Sequence, residues 1–139
     1  MALSAERPLL YADSSALVKL VIEERESASL ERHLGDEPTL ATSRIALVEV
    51  PRATALANPA PEVQEEAARL LASCVLVDVT DGVLRAAAGL ASAAVRTLDA
   101  VHLASAVRIE ADELVAYDRR LVAAAAERGL AVSSPGVGA

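Results

Sequence analysis

The sequence predicts an α/β fold, in which one central, mainly parallel sheet of about five strands is flanked by helices. Short β-type runs alternate along the chain with longer stretches of helical periodicity, and this alternation is typical of parallel sheets covered by helices. A length of 139 residues suits one domain, and the composition shows no linker that would divide it. We therefore expect a single domain over residues 1–139, with its core at about 8–133 and a loose tail at 134–139.

Five apolar runs have the length and flanking residues of strands. They are Pro8–Ala12, Thr39–Ala41, Cys74–Val79, Leu114–Tyr117 and Leu130–Ser133. The stretches between and after them have helical patterns: Ser15–Glu24, Ala28–Leu34, Arg44–Ala57, Pro61–Ser73, Asp81–Ala91, Leu98–Glu110 and Arg119–Arg128. Turn-forming pairs at 35–36 and 58–59, and Gly129 after the last helix, support these divisions.

The composition limits the classes of function. A formal net charge of -7, with Lys19 the only lysine among 13 basic residues, argues against a broad basic surface that holds nucleic acid, but not against an enzyme that cuts it. The single cysteine excludes an intrachain disulfide and a thiolate-rich metal site. No apolar run approaches the roughly 20 residues that span a bilayer, so we expect a soluble, cytoplasmic protein. A hydrophobic share of 53% without Phe or Trp predicts apolar surface for a partner.

Two acids follow predicted strands directly. Asp13 follows the first strand and Asp118 follows the fourth, and each precedes a predicted helix. Either one alone is a plausible helix N-cap. Together they favour a site, because the carboxyl ends of parallel strands face the ligand crevice and neighbouring strands bring both acids to one edge.

Two further acids lie on predicted helices. Asp99 follows the potential N-cap Thr97, so we expect it in a first turn, where an acid also interacts favourably with the helix dipole. Glu49 lies in the apolar stretch RIALVEVPRA, beyond the first turn of its predicted helix, so capping does not explain it. If the four carboxylates converge, a divalent cation offsets their repulsion, and all-oxygen ligands suit Mg²⁺ or Mn²⁺.

The segments YADSSALVKL, ALVEVPRA, RTLDAVHLASA and AYDRRL, in this order, resemble the PIN-domain ribonucleases, and most closely the VapC-type toxins of bacterial toxin-antitoxin pairs. The resemblance covers Leu9 to about Val132. The metal-binding, catalytic quartet that it implies is Asp13, Glu49, Asp99 and Asp118, with Ser14 in support. It further implies Mg²⁺- or Mn²⁺-dependent hydrolysis of RNA phosphodiesters by activated water, giving 5′-phosphate and 3′-hydroxyl ends. A homodimer and a cognate VapB-type antitoxin are the implied partners.

Several residues near the quartet have two interpretations. Arg96, Arg119 and Arg120 flank the predicted site and are candidates for phosphate contact, with a solvated surface as an equal alternative. His102 lies on the same side of its helix as Asp99, and we expect a structural rather than a catalytic histidine. Asp112 rivals Asp118 but precedes its strand, which places it at the opposite edge of the sheet.

Other functions fit the residues less well. A phosphoacceptor receiver domain is expected to have paired acids after the first strand and a lysine after the last, whereas Asp13 is followed by Ser14 and the lone lysine is Lys19. The six glycines form neither a dinucleotide-binding fingerprint nor a phosphate-binding loop. A catalytically silent PIN-like interaction protein and a PIN-fold nuclease acting on DNA stay open. The complete quartet disfavours the first, and the absence of an added basic segment disfavours the second.

Overall fold

A computed structural model of the chain describes residues 7–90 and 94–138. Within them, five strands form one all-parallel sheet in the order β3-β2-β1-β4-β5. The strands are β1 (Leu9–Ala12), β2 (Thr39–Ser43), β3 (Val75–Val77), β4 (Glu113–Val115) and β5 (Val132–Ser133). The helices are α1 (Ser14–Lys19), α2 (Ser27–Leu34), α3 (Ala46–Ala57), α4 (Pro61–Ser73), α5 (Asp81–Ala88), α6 (Thr97–Arg108) and α7 (Arg119–Glu127). The predicted α/β class and the parallel sheet are confirmed.

Several strands and helices begin or end at other residues than predicted. Strand β2 continues through Thr42 and Ser43, which were expected to lie beyond the strand but are fully buried in it. Strand β3 is shorter than predicted because Cys74 ends α4. Helix α1 ends at Lys19, five residues early, and α5 ends at Ala88; the predicted last residue of that helix, Ala91, lies outside the described residues.

The strand order creates a switch point between β1 and β4. The chain adds β2 and β3 on one side of β1 and then crosses to the other side to form β4 and β5. Backbone pairing between these central strands continues past their ends, since the N–H of Asp13 donates to the carbonyl of Val115 at 3.2 Å. In open α/β sheets ligands bind at such a switch, beyond the carboxyl ends of the strands. The fold therefore sets Asp13 where a ligand is expected.

The core has a separate half on each face of the sheet. Successive side chains of a strand point to opposite faces, so Leu10 and Ala12 pack with residues of α1 to α4, while Tyr11 packs with residues of α6 and α7. Most buried side chains are Ala, Val or Leu, as a chain without Phe or Trp requires. Tyr11 is the one aromatic side chain in the buried core of the described residues.

The start of the predicted tail is attached to the sheet. Ser134 donates a hydrogen bond to the carbonyl of Ala116, and the carbonyl of Pro135 accepts one from the Tyr117 hydroxyl at 2.8 Å. These two residues of the predicted loose tail therefore have hydrogen-bond partners just beyond β4. Within residues 7–90 and 94–138, no helix has both the length and the apolar character needed to cross a membrane.

Candidate active site

A cleft of about 390 Å³ opens at the carboxyl edge of the sheet. Its lining residues are Asp13, Ser14, Ser15, Lys19, Glu49, Arg96, Asp99, His102, Tyr117 and Asp118. All four predicted acids are among them, together with Ser14 and Arg96. Arg119 and Arg120 are exposed on the first turn of α7 and are outside this lining. A larger cavity, of about 530 Å³, lies at the amino ends of the strands and is lined by none of the four acids.

Asp13 is both a helix cap and a cleft residue. Its Oδ1 accepts a hydrogen bond from the N–H of Ala16 at 3.0 Å, which caps α1, and Ser15 Oγ donates to the same oxygen at 2.8 Å. The side chain is only 3% exposed. Burial raises the pKa of Asp13, and the charge of Asp99 acts in the same direction, while the bonds from Ala16 and Ser15 oppose the rise. Capping and a role in the cleft are therefore compatible.

Asp118 repeats this arrangement at the start of α7. Its Oδ1 accepts from the N–H groups of Arg120 and Leu121, at 2.9 and 3.1 Å. Asp99 lies in the first turn of α6, as predicted, although the helix begins after Arg96 rather than with Thr97 as its cap. Burial raises the pKa of Asp99, and the charge of Asp118 is the next largest cause. The negative charge of Asp118 therefore disfavours ionisation of Asp99.

Glu49 lies in the first turn of α3, which corrects the expected position deeper in the helix. The N–H of Arg44 bonds to the carbonyl of Val77 and continues the sheet, so the helix starts only at Ala46. The carboxylate nevertheless has no capping role. Its Oε1 accepts from Ser14 Oγ at 2.7 Å and from His102 Nε2 at 2.8 Å. Burial acts to raise the pKa of Glu49, but these two bonds prevail and the pKa lies below its usual range.

His102 connects this carboxylate to the core. It is 1% exposed, and its Nδ1 lies 2.7 Å from the hydroxyl of Tyr11. Because a carboxylate can only accept, Nε2–H donates to Glu49, while Nδ1 pairs with the Tyr11 hydroxyl. The fully buried Tyr11 therefore holds the His102 ring, and the ring in turn bonds Glu49 directly.

Sequence reasoning missed three residues of the cleft: Ser15, Lys19 and Tyr117. A signal for each was present. Ser15 and Lys19 are four residues apart, which places them on one face of α1, and Tyr117 immediately precedes Asp118.

Asp112, the rival of Asp118, accepts a hydrogen bond from the N–H of Leu9 at 2.7 Å at the amino edge of the sheet. It lies at the opposite edge, as predicted.

The donor set suits a hard divalent cation. In the part of the chain that the structure describes, no three Asp, Glu, His or Cys side chains stand close enough together to form a metal cluster as they are. The four acids nevertheless share one cleft, and repulsion among them contributes to the raised pKa values of Asp13 and Asp99. Carboxylate oxygens without sulfur are ligands for Mg²⁺ or Mn²⁺. A bound cation would relieve this repulsion, so the residues fit such an ion.

Comparisons with known proteins agree with this geometry. The family model described as PIN domain matches residues 10–127. Ribonuclease VapC46 of Mycobacterium tuberculosis is 41% identical over 128 residues, which cover 91% of this chain and 97% of that protein. Mycobacterium tuberculosis VapC20, described as a sarcin-ricin loop cleaving toxin, superposes with a TM-score of 0.69 at 19% identity, covering 83% of this chain and 94% of that one. A toxin-antitoxin complex from Klebsiella pneumoniae superposes with a TM-score of 0.68 at 16% identity, covering 91% and 97%. The chain belongs to the PIN domain family, within its VapC branch.

Proposed function

We propose that this chain is a metal-dependent endoribonuclease and the toxin of a toxin-antitoxin pair. The observation that carries the proposal is the meeting of four carboxylates, from the starts of α1, α3, α6 and α7, in one cleft at the switch point of the sheet. The similarity to a protein named ribonuclease VapC46 supports RNA as the substrate. An acidic protein needs cations at such a site to accept a polyanion.

The proposed mechanism assigns Asp13, Glu49, Asp99 and Asp118 to hold Mg²⁺ or Mn²⁺. When bound, the metal supplies an activated water and neutralises charge that develops on the phosphate. The chain's own groups prepare the site for this. Ser14 and His102 donate hydrogen bonds that orient Glu49. These bonds also lower its pKa and so favour its ionised form. Hydrolysis would leave a 5′-phosphate and a 3′-hydroxyl.

Three arginines are proposed to contact the RNA backbone. Arg96 lines the cleft at the start of α6, and this supports a contact with a backbone phosphate there. Arg119 and Arg120 are exposed on the first turn of α7, directly after Asp118, and would contact the strand farther along. Guanidinium groups suit phosphate because they donate two parallel hydrogen bonds.

We infer a VapB-type antitoxin as the cognate partner and a homodimer as the assembly. Leu47, Val48 and Leu98 are large apolar side chains that are 43–61% exposed. Leu47 and Val48 lie on α3 and Leu98 lies on α6, the helices that also carry Glu49 and Asp99, so they offer apolar surface for a partner on these two helices. Sedimentation of the chain alone and with its antitoxin tests both inferences.

Chelation is expected to stop cleavage. The purified, antitoxin-free chain is incubated with a panel of structured RNAs in Mg²⁺, Mn²⁺ or EDTA, and with DNA of the same sequences. We expect sequence-limited RNA cuts with either metal, loss of cleavage to background in EDTA, and recovery on adding excess Mg²⁺.

Cleavage that survives EDTA would overturn the metal-dependent mechanism. Cuts in DNA alone would favour the DNA nuclease. Absence of cleavage together with tight binding to the antitoxin would favour a catalytically silent interaction protein.

A further inference from the structure

Lys19 is an unusual lysine for its position and burial. It is the only lysine of the chain, and its side chain is 11% exposed in the wall of the acid cleft. Lysine is almost never buried unless its charge is paired, because removing an ammonium group from water is costly. Its placement beside four carboxylates therefore calls for an explanation.

The ammonium group is held on several sides. Nζ donates to Glu24 Oε2 at 2.8 Å and to Glu26 Oε1 at 3.0 Å, and it lies 4.7 Å from the centre of the Tyr117 ring. Burial acts to lower the pKa of Lys19, but the bonds to both glutamates outweigh it and the pKa is raised. Lys19 is therefore held as an ordered ammonium group in the cleft wall, paired with two carboxylates.

The C-terminal segment supports two of these partners. The hydroxyl of Tyr117 donates to the carbonyl of Pro135, at 2.8 Å. Gly136 has a positive φ of 91°, and a Cβ there would lie 3.3 Å from Cα of Glu26. The chain therefore turns closely against Glu26 while it binds Tyr117. These contacts already order the Lys19 side chain. Little more side-chain entropy is therefore lost when its ammonium group binds a ligand.

We propose that Lys19 contacts a phosphate of the bound RNA strand, with Glu24, Glu26 and Tyr117 as positioning residues. This inference rests on the proposed ribonuclease function and names how that site holds its substrate. An ammonium group has three N–H donors, and the two glutamates accept two of them. Among residues 7–90 and 94–138 the hydrogen bonds of Nζ go to these two glutamates alone, which leaves the third donor for a phosphate oxygen.

The charge distribution in the cleft supports this role. Only two of its lining residues, Lys19 and Arg96, are cationic, and four are acidic. Arg96 is exposed, so its long side chain must be ordered when it binds, whereas Lys19 is ordered already. A strand that crosses the four carboxylates passes this fixed cation in the same cleft. Contact with Lys19 therefore fixes the position of the RNA strand relative to the four carboxylates.

Binding measurements test the contact separately from catalysis. The Asp99→Asn protein, used so that RNA is not cut, is compared with Asp99→Asn/Lys19→Gln for its affinity for a single-stranded RNA between 50 and 200 mM salt. We expect roughly tenfold weaker binding at low salt and a salt slope smaller by about 0.7, the value of one phosphate contact on a single strand. In the cleaving protein, Lys19→Gln should raise KM more than it lowers kcat.

Matched variants separate this contact from a general loss of charge or fold. Arg69→Gln removes one exposed positive charge on α4, away from the cleft, and should leave the slope unchanged. Lys19→Arg keeps the charge and should restore most of the slope even if Lys19→Gln is unstable in a melting experiment. An unchanged slope in Lys19→Gln, with cleavage intact, would overturn the role of Lys19 alone. Failure of every form to bind or cut RNA would overturn the proposed function, and this inference with it.

Discussion

Replacing Asp99 with Asn is expected to lower the rate of RNA cleavage by more than about a hundredfold, because loss of an outer partner of a metal ligand already costs about 10–100-fold. The amide has nearly the same shape, but it is neutral and presents one acceptor oxygen in place of two. Asp99 lies in the first turn of α6, and burial and the charge of Asp118 raise its pKa. The Asp99 carboxylate is therefore one of the group of interacting acids in the cleft. Initial rates in saturating Mg²⁺ measure the loss.

Asp36→Asn is the matched control for this experiment. Asp36 is exposed and lies just before β2, at the amino edge of the sheet, so the substitution removes the same charge far from the cleft. Its cleavage rate should equal that of the unchanged protein, whereas residual cleavage in the Asp99→Asn preparation sets the upper limit on contaminating nuclease. Equal activity in Asp99→Asn and Asp36→Asn would remove Asp99 from the mechanism.

Asp99→Asn should raise the free energy of unfolding when metal is absent. The pKa of Asp99 is raised in the folded chain, by burial and then by Asp118, so its ionised form costs folding free energy at neutral pH. This cost begins to decline as the pH falls through the folded pKa and is gone below the unfolded pKa, whereas Asn removes it at every pH. In EDTA at pH 7 we expect a higher melting temperature for Asp99→Asn than for the unchanged chain. Addition of Mg²⁺ should stabilise the unchanged chain more than the variant.

The acids could be located from the sequence because their positions follow from local pattern. Asp13 and Asp118 each lie just past the end of a strand and begin a helix, and both features are visible along the chain. In a parallel sheet this placement decides the edge, and it also excludes Asp112, which bonds at the other edge. At both acids the cap coincides with a place in the cleft lining, so the cap interpretation does not exclude the predicted site.

The remaining contacts of the cleft depend on elements that are distant in sequence. Tyr11 and His102 are 91 positions apart, and Ser14 and Glu49 are 35 apart. Their pairing follows from how α6 and α3 pack against the sheet, which periodicity does not reveal. The start of α3 was misplaced for a similar reason, since Arg44 has its backbone partner on β3. Tertiary hydrogen bonds therefore determine the details that local pattern leaves open.

Replacing His102 with Leu is expected to reduce both stability and activity. Tyr11 is fully buried, and its hydroxyl would lose the ring nitrogen that it bonds. An unsatisfied buried polar group costs about 1–3 kcal/mol, so the free energy of unfolding in denaturant should fall by about that amount. Glu49 would lose one of its two hydrogen bonds, and cleavage should fall by about 10–100-fold, as for other outer partners of metal ligands.

A double substitution distinguishes a structural effect from an orienting one. Tyr11→Phe/His102→Leu removes the hydroxyl together with its partner, so most of the lost unfolding free energy should return. Cleavage should stay low, because Glu49 still lacks the Nε2–H that holds it in place. If cleavage returned together with stability, His102 would be only a packing residue of the core, as expected from its sequence position. If only stability returned, Tyr11 and His102 would act through the orientation of Glu49, which links the buried centre of the sheet to the proposed catalytic cleft.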